Sequence, residues 1–273
     1  SRCKEIQCPT LSKIKKEEII KKHIQVYDYR AALEVTDTLP VQDTKAYRNL
    51  ICLASRRLQL DFVGVDKVAK HISYPCSPVK LNNERKYFEY ALNMEIRLKK
   101  GEYVDFIRSI TPLVVDLFEL ILKKQCNIDI NDFSRVVQRN GMSQRRWDQN
   151  KLDLSEAGQV LEDCFGKNGG HFNAKDISSI HLKALIDHFS ADDYLKELVH
   201  DIRKVEENIR NLAAHEIISV TEETIRSMTG FSSKKIMNII KELFDYTGIT
   251  IREEFWNSYD DLNREIISRM SGK

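Results

Sequence analysis

Asp201-Ile-Arg-Lys-Val-Glu-Glu-Asn-Ile-Arg-Asn-Leu-Ala-Ala-His215 is one amphipathic segment in which Arg210, Asn211 and His215 stand out. Apolar residues at Leu195, Leu198, Ile202, Val205, Ile209 and Leu212 recur every three or four positions, the period of an α-helix turning one stripe toward a core. With steps of roughly 100° per residue, Asn211 and His215 fall about opposite that stripe and Arg210 on its shoulder. The trio is therefore expected to face outward, where a substrate or a second subunit can reach it. Ala213 and Ala214 are small enough to let another backbone approach. Random placement of 18 Arg and 7 His in 273 residues gives an Arg five positions before a His about half a time, and requiring Asn after the Arg lowers this to about 0.03. A solvated helix face with an incidental histidine is the plain alternative.

Composition bounds what surrounds this segment. A chain of 273 residues buries a substantial core as one large domain or two smaller ones. Hydrophobic content of 42% with 31% charged residues fits long amphipathic helices in a soluble protein. Net charge is only +2, so any basic surface must be local. Cys3, Cys8, Cys52, Cys76, Cys126 and Cys164 show no Cys-x2-Cys pair, which leaves neither a zinc spacing nor a disulfide framework and makes a reducing cytoplasm the expected compartment. His181 and His188 are seven apart, whereas a zinc pair prefers four and a nearby carboxylate, so no metal and no other cofactor is expected. No apolar run approaches a membrane span, and no export signal stands at the start. The chain opens at Ser1, and Cys3 to Pro9 reads as a linker arriving from something upstream, as in a fragment of a longer protein.

Proline placement sets the architecture. All five prolines lie in the first 112 residues, leaving the rest free for long helices. Helices are expected over Lys13 to Tyr27, Tyr29 to Leu39 and Asp43 to Leu60, then over Asn82 to Lys99 with Gly101 as its stop. The stretch from Asp66 to Val79, with Pro75 and Pro78, breaks regularity, and Thr111-Pro112 suits a helix start or a kink. Leu113 to Leu122 is the most apolar run and is expected as a central buried helix, with Asp116 and Glu119 on its outer edge. The resulting fold class is mainly α: residues 1–80 form a linker and a small helical subdomain, and residues 81–273 a helical domain with a basic, glycine-containing insertion around 135–171.

Within that insertion Arg135, Arg139, Arg145, Arg146 and Lys151 surround Trp147. Guanidinium groups pair bidentately with phosphates and an exposed indole stacks on bases, so Arg139, Arg145, Arg146, Trp147 and Lys151 are candidate RNA-binding residues. A core tryptophan ringed by solvated arginines would look the same. Leu152 to His171, with Gly158, Gly166, Gly169 and Gly170, is expected to be a mobile or short-stranded insertion. Further on, Ser219-Val-Thr-Glu222 has capping-box spacing, Gly230 ends the helix it starts, and Ser232 to Leu243 follows. Two short helices about Thr229-Gly-Phe-Ser232 have the layout of a helix-turn-helix, whose recognition segment would hold only Lys234 and Lys235 as cations. A nucleic-acid-binding regulator without catalytic activity is therefore the rival reading, and a non-catalytic helical scaffold a third. The last helix is expected over Arg252 to Met270.

RNA is cleaved without a metal when its own 2′-hydroxyl attacks the adjacent phosphate, leaving a 2′,3′-cyclic phosphate. The protein must then move protons and hold extra charge on phosphorus. His215 is the one side chain of the segment suited to proton transfer near neutrality. Arg210 stays cationic and forks onto phosphoryl oxygens, while Asn211, one turn before His215, orients the imidazole or donates to the phosphate. One such set per chain is sparse for acid and base together, and this points to a composite site.

Arg210-Asn211-Leu-Ala-Ala-His215 resembles the Arg-polar-x3-His signature of HEPN ribonucleases, and its setting resembles the HEPN half of the type III-A CRISPR-associated ancillary ribonucleases, the CARF-HEPN family. Tyr27-Asp-Tyr-Arg-Ala-Ala-Leu-Glu-Val35 and the stretch from Arg146-Trp147 to Lys151-Leu152 are similar to that family as well, so the resemblance covers nearly the whole chain. It implies a HEPN helical bundle and an endoribonuclease acting on single-stranded RNA in CRISPR antiviral defence. It further implies a homodimer with Arg210, Asn211 and His215 of both chains in one site, and activation by cyclic oligoadenylate through a CARF sensor domain absent from this chain.

Overall fold

The fold is that of a computed structural model, which describes residues 9–75, 77–80, 82–139, 141–166, 172–173, 176–215 and 219–271; the side chains at 9, 10, 82, 139, 142 and 210–215 lie outside the description. In chain order the helices are α1 (Pro9–Gln25), α2 (Tyr29–Thr36), α3 (Val41–Thr44), α4 (Arg48–Leu58), α5 (Phe62–Ala69), α6 (Asn82–Lys100), α7 (Tyr103–Arg108) and α8 (Ile110–Gln125). The hairpin strands β1 (Ser134–Arg139) and β2 (Met142–Trp147) follow. Then come α9 (Gln149–Leu152), α10 (Glu156–Phe165), α11 (Ser179–Phe189), α12 (Asp193–His215), α13 (Glu222–Thr229), α14 (Ser233–Phe244) and α15 (Ser258–Met270). The chain is mainly α, as expected, with one two-stranded sheet among the described residues.

Packing divides the chain into one unit of residues 1–96 and 251–273 and another of residues 97–250. In the first, α1, α2, α4 and α15 bury Ile20, Ile24, Ala32, Leu50, Leu53, Leu262 and Ile266. Asp28 caps α2 by accepting from the Ala31 amide, and Tyr27 turns the chain at φ +57° just before it. The charged centre of this unit is Arg57, whose Nε lies 3.0 and 3.1 Å from the two carboxylate oxygens of Glu89. Both are essentially without solvent exposure. The guanidinium also stands 4.3 Å from the centroid of the Tyr259 ring and donates to the Ser258 hydroxyl. A buried ion pair persists only when its desolvation is offset by such surplus hydrogen bonds.

In the second unit α8 is the central helix. Leu113, Val114, Leu117, Phe118, Ile121 and Leu122 are all buried on it, as the apolar run predicts, and it packs against α11 and α12. Pro112 sits in its first turn, where a missing amide hydrogen breaks no intrahelical bond. Gly101, at φ +72°, follows the end of α6.

Several sequence expectations give way to local geometry. The helix expected over Asp43 to Leu60 is two, α3 and α4, and α5 occupies part of the stretch read as irregular, with Asp61 accepting from the Gly64 amide at its start. The basic insertion expected from residue 135 opens with the hairpin strands β1 and β2. The expected mobile or short-stranded insertion from Leu152 contains α10, capped by Ser155. The helix after Ser219 begins later: Thr221 is its N-cap, and the box closes with Thr224 rather than with Glu222. The last helix is a 3-10 turn over Glu253–Asn257 followed by α15.

Candidate functional site

The motif helix α12 is preceded by Asp192, whose carboxylate accepts from the Leu195 amide in its first turn. Leu195, Leu198, Val199, Ile202, Val205 and Ile209 are buried, so the predicted stripe faces the core as far as it is described. The helix packs on α7, α8, α11, α13 and α14. His200, Lys204 and Glu207 are exposed on the opposite side. Stepped along the same helix, positions 211 and 215 continue that exposed line, whereas position 210 continues the line of Arg203. The side chains of Arg210, Asn211 and His215 themselves lie outside the described residues, although their backbone is part of α12.

Glu206 is a residue that sequence reading passed over. It is 1% exposed, accepts from the Ser179 hydroxyl, and its second oxygen has no hydrogen-bond partner. The Nε of Arg203, one turn earlier, lies 3.7 Å from Glu206 Oε2. Its phase was the available signal, since 206 falls between Ile202 and Ile209 on the apolar side.

The candidate RNA-binding residues separate. Trp147 is 3% exposed, which corrects the expectation of an exposed indole: its Nε1 donates toward His181 Nδ1 at 3.3 Å. Strand alternation sends Trp147 and Arg145 to one side of the hairpin, and Arg145 pairs there with both carboxylate oxygens of Glu119 on α8. Arg146 forms an ion pair with Asp176 at 3.2 Å, and Lys151 Nζ donates to the Ser134 carbonyl. The Arg139 side chain lies outside the described residues.

His181 sits in an aromatic box, with ring centroids of Phe172, Phe165 and Trp147 at 5.1, 5.2 and 6.2 Å. Burial pushes its pKa down from 6.5 to about 4, so it is neutral at pH 7. The neutral ring is a structural acceptor for Trp147, and the Ser178 hydroxyl lies 2.9 Å from the same Nδ1.

Elsewhere, a 440 Å³ groove in the first unit is lined by Arg30, Arg48 and Arg56 with Cys52, and these arginines are engaged by Glu34, Asp37 and Asp61. In α14, Lys234 and Lys235 are exposed while Ile236, Met237, Ile239 and Ile240 are buried. Among the described residues no group of three or more His, Cys, Asp or Glu is placed to hold a metal ion, and no helix is long and apolar enough to cross a membrane.

Comparison with known proteins adds to this geometry. The family model described as Cas_Csm6 HEPN domain matches residues 76–267, and that of the CRISPR-associated protein Csm6 6H domain matches residues 6–58. The CRISPR system endoribonuclease Csm6 of Mycobacterium tuberculosis is 24% identical over 275 residues, which cover 99% of this chain and 58% of that protein. The solved structure of Enterococcus italicus Csm6 bound to cyclic hexa-2′-fluoro-hexa-dAMP shares the fold at a TM-score of 0.68 and 15% identity, over 98% of this chain and 60% of that one. The chain thus spans less than two thirds of either relative.

Proposed function

Because this chain belongs to the family of the Cas_Csm6 HEPN domain, matched over residues 76–267, we propose that it is a CRISPR-associated endoribonuclease that cuts single-stranded RNA without a metal. The observation that carries the reading is the placement of Arg210-Asn211-x3-His215 at the end of α12, a helix whose described stripe is buried and whose opposite line is open to solvent. In this reading the substrate 2′-hydroxyl attacks its own 3′-phosphate, the phosphorus–5′-oxygen bond breaks, and the products are a 2′,3′-cyclic phosphate and a free 5′-hydroxyl. His215 transfers protons, Arg210 holds the phosphoryl oxygens as charge accumulates, and Asn211 orients the imidazole or donates to the phosphate.

One histidine per motif supplies one proton-transfer group, so the reading includes a homodimer in which two copies of the motif share one site. A cyclic oligoadenylate, the ligand class named for the Enterococcus structure, is the proposed activator, acting through a sensor domain outside this chain and serving antiviral defence in the cytoplasm. The basic segment of residues 135–151, in which the sequence singles out Arg139, Arg145, Arg146, Trp147 and Lys151, is proposed to guide the RNA through part of its surface.

The test is cleavage of a fluorogenic single-stranded RNA in excess EDTA by wild type and by His215→Ala, repeated on the full-length protein with cyclic oligoadenylate. Cleavage by the wild type alone is expected, with the variant reduced by at least about a hundredfold, the scale of lost general acid–base catalysis. Equal cleavage by both proteins would remove His215 from the mechanism. Specific binding of duplex DNA with no RNA cleavage would favour the helix-turn-helix reading of α13 and α14.

A further inference from the structure

Residues 134–147 contain four arginines and no Asp or Glu, in a chain whose net charge is +2. The hairpin is therefore a local concentration of positive charge that the overall balance conceals. Its register sorts the arginines onto two faces. Ser134 opposite Trp147, Val136 opposite Arg145 and Gln138 opposite Ser143 share one face, while Arg135 opposite Arg146, Val137 opposite Gln144 and Arg139 opposite Met142 share the other. On the first, Arg145 is occupied by Glu119 and Trp147 is buried.

The second face is charged differently. Arg135 is exposed and has no ion pair among the described residues, although it stands directly across from Arg146. Like charges directly opposite on paired strands are destabilising. Asp176 compensates Arg146, which leaves Arg135 as an exposed cation of this face without an ion pair among the described residues. Arg135 and Arg139 are four residues apart on one strand, about 13 Å, comparable with two phosphate steps of an extended single strand.

We propose that the hairpin face carrying Arg135, Arg139 and Arg146 is a track for the sugar–phosphate backbone of single-stranded RNA. The proposal rests on the ribonuclease reading and deepens it: it assigns the guiding role to one face, adds Arg135, and removes Arg145 and Trp147. Guanidinium forks suit phosphate oxygens. With the indole on the other face and buried, no base platform belongs to the track, so binding there is electrostatic and indifferent to base identity.

The test is binding of an uncleavable 2′-O-methyl RNA 20-mer to the full chain, followed by fluorescence anisotropy between 50 and 200 mM KCl. Arg135→Ala/Arg139→Ala is expected to weaken binding about tenfold and to flatten the plot of log affinity against log salt by about 1.4, two phosphate contacts at about 0.7 each. Gln138→Ala, on the other face, is expected to bind as wild type does. Arg135→Glu, a single change at an exposed position, is expected to weaken binding further and guards against misfolding of the double variant. Unchanged affinity and salt slope in both Arg135 variants would overturn the proposal. Unchanged RNA binding with an altered sedimentation coefficient would also overturn it, by making the face a protein contact. Loss of RNA binding in the variants of a protein that never cleaves would sink the nuclease reading and leave the track standing.

Discussion

His181 shows how one side chain organises its surroundings and sets a pH limit. Its Nδ1 accepts from the Trp147 indole, which only the ring unprotonated at that nitrogen allows, and the Ser178 hydroxyl lies 2.9 Å from it. With a folded pKa of about 4 against 6.5 for the free side chain, the unfolded chain takes up a proton on acidification before the folded one does. The stabilising contribution is therefore complete above pH 6.5 and is lost as pH falls from there toward 4. His181→Asn keeps an acceptor and does not titrate. Melting temperatures taken between pH 7 and 4.5 should fall more steeply for wild type than for this variant, and parallel curves would show that His181 does not govern the acid response. At this scale the sequence was partly legible. The arginines around Trp147 were visible, but which of them shared a face with it depends on strand register, which residue types near an indole do not state. Glu206 was hidden for the opposite reason, because a carboxylate in helical phase with Ile202 and Ile209 was counted by type and not by position.

Helix ends turn on single hydroxyls, and α13 is the case where two spacings compete. Ser219 and Glu222 satisfy the capping-box pattern in sequence, yet the amide of Thr224 bonds the Thr221 hydroxyl and the Thr224 hydroxyl accepts from the Thr221 amide. Glu222 is used elsewhere, accepting from the amide and the hydroxyl of Ser233 and so tying α13 to the start of α14. Thr221→Ala should lower stability by about 1 kcal/mol in urea unfolding, whereas Ser219→Ala should stay within about 0.5 kcal/mol. The reverse order would restore the earlier start. The long elements were legible because their period repeats over many residues: α6, α8 and α12 follow the expected apolar pattern. The hairpin had its own signal in Asn140-Gly141, a dipeptide suited to a tight turn between strands, and the density of arginines drew attention to charge instead. In α10 the glycines suggested mobility, but Gly158 is a packing requirement: a Cβ there would stand 1.9 Å from the Leu152 carbonyl oxygen.

Over the whole chain, packing does not follow sequence order. The last 23 residues, from Ile251, belong with residues 1–96, and there Asn263 on α15 accepts from the Tyr29 hydroxyl and donates to the Ile24 carbonyl. Local periodicity told that α15 is amphipathic but not which helices would receive its apolar face, so the long-range return was not readable from pattern. The assembly expected for the site is a question at the same scale. A single chain offers one His215, and separate acid and base duties call for a second proton-transfer group. A homodimer joining two motifs supplies it, whereas a chain acting alone would need another group near the motif. Mixing experiments discriminate without reference to any interface. Wild type exchanged with a ninefold excess of His215→Ala places only about one wild-type chain in ten opposite another wild-type chain. If both histidines are required, activity per wild-type chain should fall to about a tenth, whereas independent chains would keep it unchanged. Sedimentation of the same mixtures at micromolar concentration should show a dimer throughout, and a monomer that still cleaves RNA would dismiss the composite site.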